Sequence, residues 1–185
     1  MCQDITKLFI KNELKLEEVE GKRVIEIGSK NENGEIRPDV LSFNPGEYVG
    51  IDIIKGEGVD IICDAEEMLD RFGKEGFDIG VTSDTLEHVV NWKKIISNMK
   101  NICRPNGIIF IAVPSIGSCY HPFPVDNWRY EMSDLEYIFS DCEILLKQFY
   151  PESPECIFKI KKPENFKEIN LEDYKLYNIN ENKRI

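Results

Sequence analysis

Apolar positions along most of the chain come in short runs, and the stretches between them carry apolar residues at helical spacing. Residues 4–19 place Ile5, Leu8 and Phe9, then Leu16 and Val19, among Lys and Glu, which predicts one amphipathic helix ahead of the first strand. From there the pattern predicts strand 23–28, a helix near 35–43, strands 47–53 and 58–63, helix 65–73, strand 77–83, helix 88–103 and strand 107–113. Strands that recur with helices between them imply βαβ units, a mostly parallel sheet and helices on both faces. Two further runs, 142–150 and 155–161, are joined only by Pro151-Glu-Ser-Pro154. So short a link allows a hairpin and excludes a parallel crossover, so this end of the sheet must hold an antiparallel strand. Beyond Pro163 the segment is polar with scattered Phe, Ile, Leu and Tyr, and reads either as a loosely packed tail or as a short helix lying on the domain.

At 185 residues the chain suits one domain, taken as 1–162, including the 4–19 helix, followed by a polar tail, 163–185. Lys and Arg number 23 against 34 Asp and Glu, and the net charge of −11 with no basic cluster disfavours a nucleic-acid partner. No run approaches the ~20 apolar residues of a membrane span and the N-terminus has no signal-peptide core, so a cytoplasmic protein without a membrane partner is expected. Six cysteines lack any CxxC pair and no His stands at metal-ligand spacing, so neither disulfides nor a metal are expected.

In an open parallel sheet the ligand sits beyond the carboxyl ends of the strands. The residues at those ends are Gly28-Ser29-Lys30, Asp52-Ile53, Asp64-Ala65, Ser83-Asp84 and Pro114-Ser115. Asp52 follows Gly28 by 24 residues, close to the offset at which an acidic residue accepts ribose hydroxyls. The first loop, however, has Lys30 where a dinucleotide site has its second glycine. That glycine lets the backbone approach a pyrophosphate, and a ligand without pyrophosphate does not need it. S-adenosylmethionine is such a ligand. Glu26 could face its ammonium, and Lys30 or the loop amides its carboxylate.

The ordered set "VIEIGS", "YVGIDI", "DIICDAEEM", "FDIGVTSDTLEHV" and "RPNGIIFIAVP" resembles the class I S-adenosylmethionine-dependent methyltransferases, type 11-like, over residues 20–162. The resemblance implies a Rossmann-like seven-stranded sheet, six strands parallel and one antiparallel. It implies S-adenosyl-L-methionine as cofactor, Asp52 on the ribose, Asp64 and the Ala65 amide on the adenine edge, and close approach permitted by Gly28. Ser29, Ile53 and Ser83, at the same strand ends, complete the cofactor set. The departure is the loop, where Lys30 and Glu32 replace the family's later glycines, and Asn33-Gly34-Glu35-Ile36-Arg37 extends it.

The stretch "SIGSCYHPFPVDNWRYEMSD", 115–134, follows the fifth strand and is aromatic and stiffened by proline. Its place in the fold sets it over the transferable methyl group, facing Glu87 and His88. Tyr120, Trp128 and Arg129 are therefore candidates for holding a small-molecule acceptor, and similar loops occur in methyltransferases acting on sugars. Arg129 and Asp126 could equally form an ion pair pinning the loop while Trp128 fills the core. Methyl transfer from a sulfonium needs no metal, but an alcohol or phenol acceptor needs a base. His121 is the first choice for that base and His88 or Glu87 the second, with Asp126 counted among the catalytic candidates. The expected activity is methyl transfer to a small metabolite, and the alternative is a binding module that keeps the fold and the cofactor without catalysis. A nicotinamide oxidoreductase is disfavoured by the missing glycine, and a P-loop hydrolase by the lack of GxxxxGK[ST].

Overall fold

The computed structural model describes residues 4–32, 34–122 and 125–185. Asn33 of the first loop and Phe123 of the aromatic loop lie outside these, as does Cys2. Five parallel strands come first: β1 (Arg23–Ile27), β2 (Glu47–Asp52), β3 (Ile61–Ile62), β4 (Phe77–Ser83) and β5 (Cys103–Pro114). β6 (Trp128–Arg129) stands apart from them, and the hairpin β7 (Glu143–Tyr150) and β8 (Glu155–Lys161) returns to the sheet. The seven strands run in the order β3-β2-β1-β4-β5-β8-β7, with β8 antiparallel to both neighbours. Strand order reverses between β1 and β4, so a crevice opens at their carboxyl ends.

Both faces of the sheet are covered, which is why the central strands read as continuous apolar runs. Successive side chains of a strand point to opposite faces. Ile25 and Ile27 of β1, with Ile109, Ile111 and Val113 of β5, pack beneath α4 (Met68–Phe72), α5 (Trp92–Ile102) and α6 (Met132–Ile138). Val24 of β1 with Ile79 and Val81 of β4 pack against α1 (Asp4–Glu13), α2 (Leu16–Val19) and α3 (Arg37–Leu41). Glu26 shares the alternation of Val24 and is therefore a buried carboxylate in an apolar layer.

Local structure departs from the sequence pattern in four places. The expected helix 4–19 is two helices, because Lys15 is extended and its N–H is captured by the Glu18 carboxylate at 2.9 Å. The buried ammonium of Lys159 bonds Glu13 O and Glu18, at 2.7 Å each, and holds the break. The helix expected at 88–103 begins only at Trp92, where the Asn91 side chain accepts the Lys94 N–H at 3.3 Å, so Glu87 and His88 lie in a turn before it. Helix α6, absent from the sequence reading, is marked by a reciprocal cap between Glu131 and Asp134. Residues 163–185 form neither a loose tail nor a helix. Strands β9 (Tyr177–Asn178) and β10 (Lys183–Arg184) join β6 in a small antiparallel sheet, and Leu171 and Leu176 enter the core.

Candidate functional site

A cavity of about 630 Å³ opens at the carboxyl ends of β1, β2 and β4. At one end the first loop and the loop after β2 form its wall. Gly28 sits at φ +75°, and a Cβ there would meet Thr85 Oγ1 at 2.1 Å, so only glycine allows the β1 turn and the β4 turn to touch. The close approach that a glycine-rich first loop would provide comes instead from the second loop. A Cβ at Gly58 would lie 2.4 Å from Ser29 O, and one at Gly56 would lie 2.8 Å from the Lys30 side chain. Asn31 N–H donates to Glu57 O at 2.9 Å, and Arg37 donates to Gly58 O at 3.1 Å, tying the loops together. Lys30 pairs with Glu32 at the rim.

Every sequence-derived cofactor residue lines this cavity: Glu26 in β1, Gly28, Ser29 and Lys30 from the first loop, Asp52 and Ile53 at the end of β2, Asp64 and Ala65 after β3, and Ser83 at the end of β4. Asp52 accepts the N–H of Ile54 at 2.9 Å and of Lys30 at 3.3 Å, so it orders both loops while its carboxylate still faces the cavity. Asp64 accepts the Glu66 N–H at 2.8 Å. Burial pushes the Glu26 carboxyl up from 4.5 to about 7, although the Tyr48 hydroxyl donates to it at 2.7 Å and the Arg37 charge also opposes the rise. Tyr48, Arg37 and Thr85 were not singled out for these roles from sequence, because their partners are distant in the chain. Ser29 Oγ is buried without a hydrogen-bond partner among the described residues.

At the other end stand His88, His121 and Val125. His121 Nε2 lies 3.4 Å from Glu87 Oε1, and His88 Nε2 lies 3.6 Å from the same oxygen. The two rings meet edge to face at 5.1 Å. Glu87 raises the His121 pKa above 6.5, with burial opposing the rise. Asp84, also at the cavity wall, adopts a left-handed φ of 47°, and burial together with Glu87 holds its carboxyl well above the usual range.

The aromatic loop is strapped onto the turn after β4. Asn127 and Trp128 N–H donate to Glu87 O at 2.8 and 3.2 Å, Trp128 Nε1 to Val89 O at 2.7 Å, and the Tyr130 hydroxyl to Leu86 O at 3.1 Å. Trp128 and Arg129, candidates for acceptor binding, do not line the cavity. Trp128 lies in the core, and Arg129 is buried in a two-pronged pair with Asp126. The physical reason is strand pairing: β6 joins β9 and carries both residues inward. Asp126 is likewise fully buried behind the cavity and accepts the His121 backbone N–H at 2.9 Å. Burial works against its charge, yet Arg129 and the His121 N–H hold its pKa below the usual carboxylate value. Tyr120 is more than half exposed outside the cavity.

A buried carboxylate, an unpartnered buried hydroxyl and acidic strand ends fit a cofactor carrying an ammonium, a carboxylate and a ribose better than one carrying phosphates. The methyltransferase domain family matches residues 1–143. None of the curated proteins matches the chain. Among solved structures, Burkholderia thailandensis 1,6-didemethyltoxoflavin-N1-methyltransferase, with 1,6-didemethyltoxoflavin and S-adenosylhomocysteine bound, is similar at TM-score 0.65. Its identity is 12%, over 87% of this chain and 80% of that one. A putative methyltransferase in complex with the Haloferax volcanii Trm112 activator gives 0.67 at 10% identity, over 88% and 90%. The [4+2]-cyclase SpnF gives 0.67 at 14% identity, over 86% and 80%. With most of its length matched and this strand order around this crevice, the chain belongs to the methyltransferase domain family and has the class I fold whose cofactor is S-adenosylmethionine.

Proposed function

We propose that the chain transfers a methyl group from S-adenosylmethionine to a small-molecule acceptor. The observation that carries this reading is the placement of two imidazoles on one buried carboxylate at the end of the cavity opposite the acidic strand ends. When bound, the sulfonium supplies an electrophilic methyl group and departs as a neutral thioether. The protein's share is mostly binding and alignment. Glu26 receives the ammonium; Ser29 Oγ, the loop amides and Lys30 receive the carboxylate; Asp52 accepts the ribose hydroxyls. Asp64 and the Ala65 amide read the adenine, with Ile53 and Ser83 lining its surroundings. His121 takes the acceptor proton at Nε2, since its Nδ1 faces the Cys119 carbonyl at 2.9 Å and must carry the other proton. Asp126 is a positioning residue that holds the His121 backbone. Tyr120, exposed next to His121 in the chain, is retained as an acceptor contact.

A strap hydrogen-bonded over the β4 turn favours a metabolite over a macromolecule, as does the charge of −11. The five free cysteines among the described residues suit a reducing cytoplasm. A second reading, a fold that keeps the cofactor for other chemistry or for none, is favoured by the similarity to a structure named a [4+2]-cyclase. Mass spectrometry of the purified protein for retained S-adenosylhomocysteine, followed by an acceptor screen with labelled cofactor, separates the two. Cofactor with turnover supports the first reading. Cofactor without turnover across the screen supports the second, and binding of NAD without S-adenosylhomocysteine overturns both.

A further inference from the structure

We propose that Glu87, His88 and His121 form a binding site for one divalent transition-metal ion at the acceptor end of the cavity. The three side chains come from two segments and offer ligand atoms that all lie within 4.8 Å of one another. This inference rests on the methyltransferase reading and extends it to the class of acceptor: with an ion bound, His121 Nε2 would be a ligand and not the base, and an acceptor presenting an oxygen to the metal would be made acidic by the ion's charge instead.

The tautomers carry the argument. His88 Nδ1 lies 2.6 Å from Val125 O and His121 Nδ1 lies 2.9 Å from Cys119 O. A carbonyl oxygen only accepts, so each Nδ1 bears a proton, and Nε2 is the nitrogen of each ring left to bind an ion. Both Nε2 atoms point at Glu87 Oε1, at 3.6 and 3.4 Å. Three potential ligand atoms therefore converge on one point. The Glu87 side chain is wholly buried, and its second oxygen has no partner among the described residues, so the carboxylate has acceptor capacity left over. A proton on one imidazole would serve one Nε2 and leave the other facing the carboxylate without a hydrogen. A metal ion serves all three.

The donor set decides the kind of ion. Two imidazoles and one carboxylate suit zinc, iron, cobalt or nickel, whereas magnesium and calcium prefer all-oxygen shells. Three protein ligands with a position left open is the pattern of a reactive metal site, not a structural one. The outer shell is already built: a backbone carbonyl on the distal nitrogen of each ring is what fixes metal-ligating histidines elsewhere. The Asp126–Arg129 pair holds His121 through its backbone, and the Asn127 and Trp128 amides hold Glu87 through its carbonyl. The 32 residues between His88 and His121 hid this set from the sequence, where no ligand spacing is visible.

The test uses the full chain, stripped with a chelator and titrated with CoCl2 by visible absorption, with ZnCl2 as competitor. The expected result is one equivalent of cobalt with ligand-field bands, displaced by zinc and not by magnesium. His88→Ala and His121→Ala should each weaken cobalt binding by about 100-fold or more. Cys119→Ser, which removes the exposed thiol nearby, should leave it unchanged. Glutamine at either histidine provides a second variant should alanine lower the melting temperature. No spectral change on adding cobalt, or binding that survives both histidine variants, overturns the metal site. S-adenosylhomocysteine affinity measured on the same samples keeps the two ideas apart: affinity without cobalt binding sinks only the metal, and cobalt binding without affinity sinks the methyltransferase reading.

Discussion

If Glu26 receives the cofactor ammonium, as proposed, cofactor binding should depend on pH, and the size of the coupling follows from its burial. With its carboxyl raised to about 7, Glu26 in the free protein is about nine-tenths protonated at pH 6 and about one-tenth at pH 8. A ligand ammonium beside it requires the charged form, so binding must expel the proton. The affinity for S-adenosylhomocysteine should therefore be about tenfold weaker at pH 6 than at pH 8, with about 0.9 of a proton released per molecule bound at pH 6. The stability of the unliganded protein changes in the opposite sense. Because the folded pKa lies above the unfolded value of 4.5, the folded state holds more protons between 4.5 and about 7, and stability falls as pH rises through that window, by about 3 kcal/mol in all. Calorimetry at pH 6, 7 and 8 in two buffers of different ionisation enthalpy measures both the affinity and the protons. Glu26→Gln should bind more weakly at pH 8 and lose the pH dependence. A flat profile in the parent, or a slope that persists in Glu26→Gln, refutes the ammonium contact; the second outcome would point to His121 at the other end of the cavity, whose pKa Glu87 raises.

Asp52→Ala should weaken S-adenosylhomocysteine binding by about 10- to 100-fold, since charge-assisted hydrogen bonds contribute roughly 1.5–3 kcal/mol each. Unchanged affinity with a lowered melting temperature would leave Asp52 only its bonds to Ile54 and Lys30. His121→Ala should keep that affinity within a few-fold and cut methyl transfer by roughly 100-fold or more, as measured by single-turnover assay on an identified acceptor. Full turnover in the variant would remove His121 from the reaction. Arg129→Ala should destabilise the fold by about 3–5 kcal/mol, because it leaves the Asp126 carboxylate buried without its partner. Thermal melting reads this as a drop of several degrees or more; normal melting with lost turnover would instead return Arg129 to the acceptor site.

Local chemistry alone made the sheet and the crevice at its carboxyl end legible. Apolar runs at strand length mark β1, β2, β4 and β5, and the four-residue link 151–154 permits nothing but a hairpin for β7 and β8. The positions at the carboxyl ends of the strands must lie at the crevice in any open parallel sheet, so Gly28, Asp52 and Asp64 could be placed there without knowing a single tertiary contact. The acceptor end was different, because its members meet through packing. Trp128 and Arg129 look like ligand contacts when judged by residue type. They turn inward because β6 pairs with β9 from a tail whose polar sequence gives no strand period. Glu87, His88 and His121 acquire their chemistry only when the strap folds across the β4 turn, and a one-dimensional pattern holds no record of which backbone carbonyl will fix a ring nitrogen. The same applies to Gly56 and Gly58: their sequence marks a turn, while the approach they permit to Lys30 and Ser29 exists only between two loops brought together by adjacent parallel strands.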